Sequence, residues 1–286
     1  MSEFFLELFS EEIPAGLQKN LREKIFEDFK NLFEEKSIRS KKNFSFSTPN
    51  RLVLVFEGLD KQIKIKSKEI RGPKTSAPEQ ALEGFLRSNK INKKDLFKKK
   101  TEKDEFYFYK TVATSLKTHD LLTEFIPKIL SNYQWKKSMK WGEFDLNWGR
   151  PLKSILSIFD KKIVSFNFHH LVSSNSTFID KDLEEKKRSF ENFKKYEKFF
   201  EDNGVIVNQN KRLKIINKSF LKILGKKGLK INENPKLMDE VVNLVDSPNV
   251  LLCKFDKKFL SVPKEILTLT MESVSYTHLR AHETPA

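Results

Sequence analysis

The residues of this chain that could make or break bonds are few and scattered. Glu11 and Glu12 stand together after an apolar segment and could serve as an acid-base pair. A solvated turn, or favourable charge at a helix N-terminus, accounts for the same pair. His169 and His170 are adjacent, and neighbours on a strand point to opposite faces, so they cannot easily chelate one ion. The lone cysteine, Cys253, lies in the apolar run Val250-Leu251-Leu252-Cys253 and reads as a small hydrophobe rather than a thiolate nucleophile. No zinc spacing, nucleophile elbow or Walker-type phosphate loop occurs. Gly225-Lys226-Lys227-Gly228 superficially resembles a phosphate loop, but a helix stop followed by a basic turn explains it better. The expectation is a chain with no catalytic group and no metal site of its own.

What the sequence does supply is cations interleaved with aromatics and glycines. They occur at Thr48-Pro49-Asn50-Arg51, Arg71-Gly72-Pro73-Lys74, Lys136-Lys137-Ser138-Met139-Lys140-Trp141-Gly142 and Trp148-Gly149-Arg150-Pro151. In such settings Arg or Lys meets phosphate and Trp stacks on an unpaired base. Equally, Trp fills core and Arg before Pro caps a turn, and the residues alone leave both readings open. The candidate contacts are Arg51, Arg71, Lys140, Trp141 and Arg150. A formal charge of +15 favours a polyanionic partner. Nine of the 54 basic residues are Arg, though, and the abundance of Lys, Asn, Ile and Phe fits the codon usage of an AT-rich genome. Charge therefore supports nucleic-acid binding without proving it.

Elements must exist to position these groups. Phe4 to Phe9 reads as a buried strand, and Leu17, Leu21, Ile25, Phe29 and Leu32 fall on one face of a helix. Leu52 to Phe56 has the continuous apolar character of a central strand, and Gln62 to Lys66 alternates like a half-exposed one. A short helix is expected around Ala81 to Ser88, a strand over Glu105 to Ala113, and a helix over Leu121 to Leu130 around Pro127. Leu152 to Phe159 and Ile163 to Phe168 flank Asp160-Lys161-Lys162 as a hairpin. Beyond Asp180 the Lys- and Glu-dense chain reads as a helix to Glu201, another over Lys211 to Leu224 stopped by Gly225 and Gly228, and a third over Leu237 to Val245. A strand over Asn249 to Phe255 follows.

These patterns predict an α+β fold, with mixed or antiparallel sheets, packed helices and a helical sub-domain. The expected division is an α+β domain over 1–180, a helical insertion over 181–248 and a return to the α+β domain over 249–272. The segment 273–286 resembles the translation of a sequencing adaptor and is expected to be foreign. The N-terminus lacks the features of a signal peptide, no stretch approaches the ~20 apolar residues of a membrane span, and one cysteine permits no internal disulfide. A soluble, cytoplasmic protein is expected.

At these same residues the chain resembles the β subunit family of bacterial glycyl-tRNA synthetase. The opening Leu6-Glu7-Leu8-Phe9-Ser10-Glu11-Glu12-Ile13-Pro14 is similar to Glu-Ile-Gly-Thr-Glu-Glu-Leu-Pro. Thr48-Pro49-Asn50-Arg51-Leu52 resembles Thr-Pro-Arg-Arg-Leu, and Arg71-Gly72-Pro73 resembles Arg-Gly-Pro. Gly84-Phe85-Leu86-Arg87, Met139-Lys140-Trp141 and Arg150-Pro151 resemble Gly-Phe-Ala-Arg, Met-Arg-Trp and Phe-x-Arg-Pro. Glu240 to Pro248 and Phe255 to Glu265 resemble the later Val-x-x-Leu-Val-Glu-x-Pro, Phe-Asp-x-x-Phe-Leu and Pro-x-Glu. The family's Gly-His-Arg-Phe segment has no counterpart near Ser173 to Phe178. The resemblance implies a fold akin to the editing-type domain of the phenylalanyl enzyme's large subunit. It also implies a chain that binds tRNA(Gly) and the α subunit in an α2β2 tetramer, while the α subunit uses ATP with Mg. No cofactor is expected on this chain. The resemblance implies more chain, with nuclease-like and anticodon-binding domains, beyond Glu272, and the expected tRNA contacts remain the candidates Arg51, Arg71, Lys140, Trp141 and Arg150. A purely structural assembly module, or a hydrolytic editing domain using Glu11 and Glu12, are the rival expectations.

Overall fold

The computed structural model describes residues 2–65, 67–100, 104–111, 114–179, 186–227, 234–252, 256–263 and 265–271. The chain opens with β1 (Glu3–Ser10), α1 (Ala15–Glu35), β2 (Lys42–Thr48) and β3 (Arg51–Glu57). It continues through β4 (Gln62–Ile65), β5 (Glu69–Lys74), α2 (Glu79–Asn89), β6 (Leu96–Lys100), β7 (Glu105–Lys110), β8 (Thr114–Lys117) and α3 (Thr118–Asn132). Then come β9 (Leu152–Phe159), β10 (Lys162–Ile163), β11 (Asn167–Phe168), β12 (Leu171–Val172), β13 (Ser176–Ile179) and β14 (Lys186–Ser189). The helices α4 (Phe193–Asp202), α5 (Gln209–Lys227) and α6 (Pro235–Leu244) follow. The expected α+β fold holds, and the strand pairs are antiparallel, with one isolated parallel bridge between Leu156 and Ser174.

Packing separates Met1–Asp60 with Leu122–Ala286 from Lys61–Leu121. This is not the division at 180 and 248 that composition led us to expect. Dense Lys and Glu mark the solvent side of a helix, and the other side of α4 joins the main sheet's core. In the larger unit the strand order is β10-β9-β1-β3-β2. β1 is central, and its alternation splits the core in two. Phe4 faces α1, with ring centroids 5.5 Å from Phe29 and 6.0 Å from Phe56. Phe5 faces α4, 5.6 Å from Phe193 and 4.9 Å from Tyr196. The α4 side also gathers Phe46, Val53, Val55, Leu156, Ile158 and Phe200. Burial on both faces explains why β1 and β3 read as continuous apolar runs although antiparallel sheets commonly keep one wet face.

Both sheet edges are covered. The side-chain amide of Gln209 accepts from Ser47 N and donates to Ser45 O, both at 3.3 Å, as a neighbouring strand would along β2. Beside it Arg212, fully buried, donates to the carbonyls of Ser47, Ile206, Val207 and Val242 at 2.8, 2.6, 3.1 and 2.9 Å. Burial lowers its pKa to about 10. At the other side Ser174 bonds β9 through Ile155 O and Ser157 N, at 2.9 and 2.8 Å.

Several elements differ from expectation. Asp160 and Lys161 both take positive φ, 49° and 67°, the geometry of a tight hairpin turn, but β10 is only two residues long and the chain leaves the sheet after Val164, whose N donates to Ser157 O at 3.0 Å. The helix expected from Asp180 starts at Phe193, where the Asn192 side chain caps Lys195 N at 2.9 Å, and Lys186–Ser189 forms a strand instead. α5 runs through Gly225 to Lys227; Gly228 lies outside the described residues. Residues 249–252 carry no strand, and the rest of that expected strand, with Cys253, lies outside the described residues, as does 273–286.

The smaller unit holds the three-stranded sheet β5-β7-β6, the ribbon β4-β8 and α2. Its two ends meet, because Thr118 N donates to Lys61 O at 3.0 Å.

Candidate nucleic-acid interface

The motif segments of the larger unit meet at one end of its sheet. Ser10 N donates to Asn50 O at 2.9 Å, Ile13 N to Pro49 O at 2.7 Å, and Glu11 N to Pro151 O at 2.8 Å. The acidic turn, the β2–β3 turn and the approach to β9 are therefore one backbone-bonded corner. Arg51 points from it into the core and is 3% exposed. Its guanidinium lies between the rings of Phe9 and Phe200, 4.3 and 4.6 Å from their centroids. It donates to Phe178 O, and its Nε stands 3.5 Å from Glu7. Glu7 is fully buried and receives the Tyr196 hydroxyl. Burial raises the Glu7 pKa, against the opposing pull of Arg51, Thr177 and Tyr196. Burial and the Glu7 charge push Tyr196 well above its usual range. This corrects the expectation for Arg51: the charge it answers is inside the protein, where removing either partner would strand the other.

Lys140, Trp141 and Arg150 share one surface loop between α3 and β9. The loop is built on a buried aromatic base: Trp148 is 2% exposed and packs edge-on against Trp135 at 4.9 Å and Phe168 at 5.8 Å. Gly149 is obligatory there, since a Cβ would sit 2.1 Å from the Trp135 ring. Met139 and Trp148 close the loop through reciprocal backbone bonds of 2.8 and 3.2 Å. Above this clasp, Phe144 lies flat on His170, with centroids 3.6 Å apart and planes 8° apart, and Trp141 meets the same imidazole edge-on at 5.9 Å. Phe144 is 43% exposed and Trp141 half-buried. Lys136, Lys137 and Lys140 are exposed and Arg150 half-buried, against the carboxylates Glu143 and Asp145. Lys140 stands 3.5 Å from Asp145, an exposed pairing of small energetic weight. Rings and cations carried on one loop can stack an unpaired base and neutralise its phosphates.

Arg71 belongs to the smaller unit, exposed on β5 with its guanidinium 3.6 Å from the Phe106 ring centroid. Glu11 is exposed and holds Lys153 at 2.8 Å, so the acidic pair sits in a solvated turn. A cleft of about 580 Å³ is lined by Lys19, Arg22, Glu23 and Asp239 among others, and its charges balance. Among the described residues no three His, Cys, Asp or Glu side chains gather as a metal site. Sequence reading missed Phe144 and weighed His170 only as half of an adjacent pair; the two become neighbours only through folding, and the one signal was a Phe between Trp141 and Trp148.

The family described as glycyl-tRNA synthetase beta subunit matches residues 4–280 of this chain. The match runs past Glu272 into the stretch expected to be foreign. The glycine--tRNA ligase beta subunit of Rickettsia bellii (strain OSU 85-389) is 38% identical over 273 residues, 96% of this chain and 41% of its own length. Those of Rickettsia canadensis (strain McKiel) and Rickettsia felis are 37% and 36% identical over 271 and 275 residues, 95% and 96% of this chain and 40% and 41% of theirs. The chain thus spans about 41% of the length of these curated relatives.

Proposed function

The chain belongs to the glycyl-tRNA synthetase beta subunit family, and from that premise we propose that it serves glycyl-tRNA synthesis by binding tRNA(Gly) and an α subunit. The bond-making, with ATP and Mg, takes place on the α subunit of an α2β2 tetramer in the cytoplasm. The observation that carries the tRNA reading is the loop platform: Trp141 and Phe144 around His170, on the loop that also carries Lys136, Lys137, Lys140 and Arg150. Cations of this kind attach phosphate through counterion release, and rings give sequence-tolerant stacking. The protein contact is supported by Leu221, Leu251, Ile266 and Leu269, large apolar side chains more than half exposed. Among the described residues no helix is long and apolar enough to cross a membrane.

The test is filter retention of labelled tRNA over a salt series, with Lys140→Ala, Trp141→Ala and Arg150→Ala combined. The triple variant is expected to bind about tenfold or more weakly, with a salt slope shallower by about one unit for each phosphate no longer neutralised. Unchanged affinity and slope would remove this loop from the interface. Glycine-dependent pyrophosphate exchange is expected to need added α subunit, and exchange by the chain alone would overturn the division of labour.

A further inference from the structure

The smaller unit carries a second surface of the same chemistry in a different form. Opposed residues of an antiparallel sheet share a face. Arg71 and Phe97 both oppose Phe108, while Lys74 and Lys99 both oppose Phe106. These side chains therefore line one face of the β5-β7-β6 sheet. The Phe97 and Phe108 rings stack at 6.0 Å with planes 26° apart, and Phe97 is 37% exposed. Arg71 covers Phe106 at 3.6 Å and the Lys99 ammonium lies 5.7 Å from the Phe108 ring. Four cations, Arg71, Lys74, Lys99 and Lys110, meet two carboxylates: Glu69, 2.9 Å from Lys99, and Asp104, 2.7 Å from Lys74.

The opposite face has a cover of its own chain. Gly72 points away from Arg71, and a Cβ there would lie 2.9 Å from the Phe85 ring of α2. A hydrophobic strip that merely closed a core would be on that side. On this face Phe97 is exposed and Phe108 half-buried, while Phe106 is buried beneath Arg71, and the surrounding positive charge selects the occupant: a polyanion with flat rings of its own.

We propose that the Arg71, Phe97 and Phe108 face of the smaller unit binds an unpaired stretch of RNA, its bases stacking on the rings and its phosphates meeting the cations. The proposal rests on the tRNA-binding reading and assigns it a second contact, selective for single strands over duplex because stacking within a duplex hides the ring faces of its bases. The test uses the whole chain, a labelled single-stranded RNA of about twelve nucleotides and a hairpin duplex, followed by anisotropy. Phe97→Leu keeps apolar bulk and removes the ring; Phe97→Tyr keeps both. The Leu variant is expected to bind the single strand about tenfold more weakly, while the Tyr variant and all duplex binding stay as in wild type. Equal single-strand affinity in the Leu and Tyr variants, with tRNA still bound by the chain, overturns this proposal alone. No tRNA binding by any form overturns the parent reading as well. If the Leu variant loses α-subunit association and keeps its RNA affinity, the face belongs to a protein partner and the proposal falls.

Discussion

Arg51 and Lys140 carry the same charge in comparable motifs and have opposite fates. The difference is invisible in sequence because it depends on what stands opposite. Arg51 opens a strand whose inward neighbours include Glu7, so burial supplies both a counter-charge and two ring faces. Lys140 sits beyond the Met139–Trp148 clasp, where Asp145 answers it from solvent. The two Trp residues of these motifs differ in burial: Trp148 is core, and Trp141 is half-exposed. His170 offers a titration on this platform. Partial burial and the neighbouring His169 lower its pKa below the usual 6.5, so the unfolded chain takes up the proton first. Its contribution to stability is complete above about pH 6.5 and is lost as pH falls through the folded value. Melting wild type and His170→Phe at about pH 7.5 and about pH 5.5 should show a larger drop for wild type. Equal drops would mean that the imidazole charge is not felt by the stack.

At the scale of elements, β1 and β3 were legible as continuous apolar runs and α1 by its period: the buried positions of α1, among them Leu21, Ile25, Phe29 and Leu32, recur at three or four. β14 was not legible, since Lys186 to Ser189 is all polar or charged; it pairs with β13 through its backbone and through the Lys187 ammonium, 4.7 Å from the Phe178 ring. Gln209 and Arg212 were not either, because their partners are backbone groups of β2 and of the α4–α5 and α6 regions, which no residue pattern encodes. Gln209 acts as a one-residue strand on the edge of the sheet. Gln209→Leu removes two hydrogen bonds and bares that edge, so a loss of about 1 kcal/mol is expected, with faster aggregation. The urea midpoint and light scattering on warming check both; a midpoint and turbidity like wild type would show that the edge needs no such cover.

At the scale of the molecule, the smaller unit is an insertion with joined ends, because Lys61 and Thr118 are hydrogen-bonded across the β4–β8 ribbon. Composition could not reveal this, since the strands that close the insertion are four residues each. Replacing residues 62–117 with a short Gly-Ser linker should leave the remaining chain with one cooperative thermal transition and its aromatic near-UV signal. A broad, signal-less melt would mean that the larger unit depends on the insertion to fold.

The place of β1 at the centre of the sheet has a consequence in the cell. It leaves the ribosome well before β9 and α4, so its flank awaits β9 and its α4-facing side awaits Phe193 and Tyr196. At about 5–20 residues per second, that wait is on the order of ten to forty seconds. For that interval a nascent ribbon rich in phenylalanine is an unfinished surface, and holding it apart from its copies on the same message falls to chaperones.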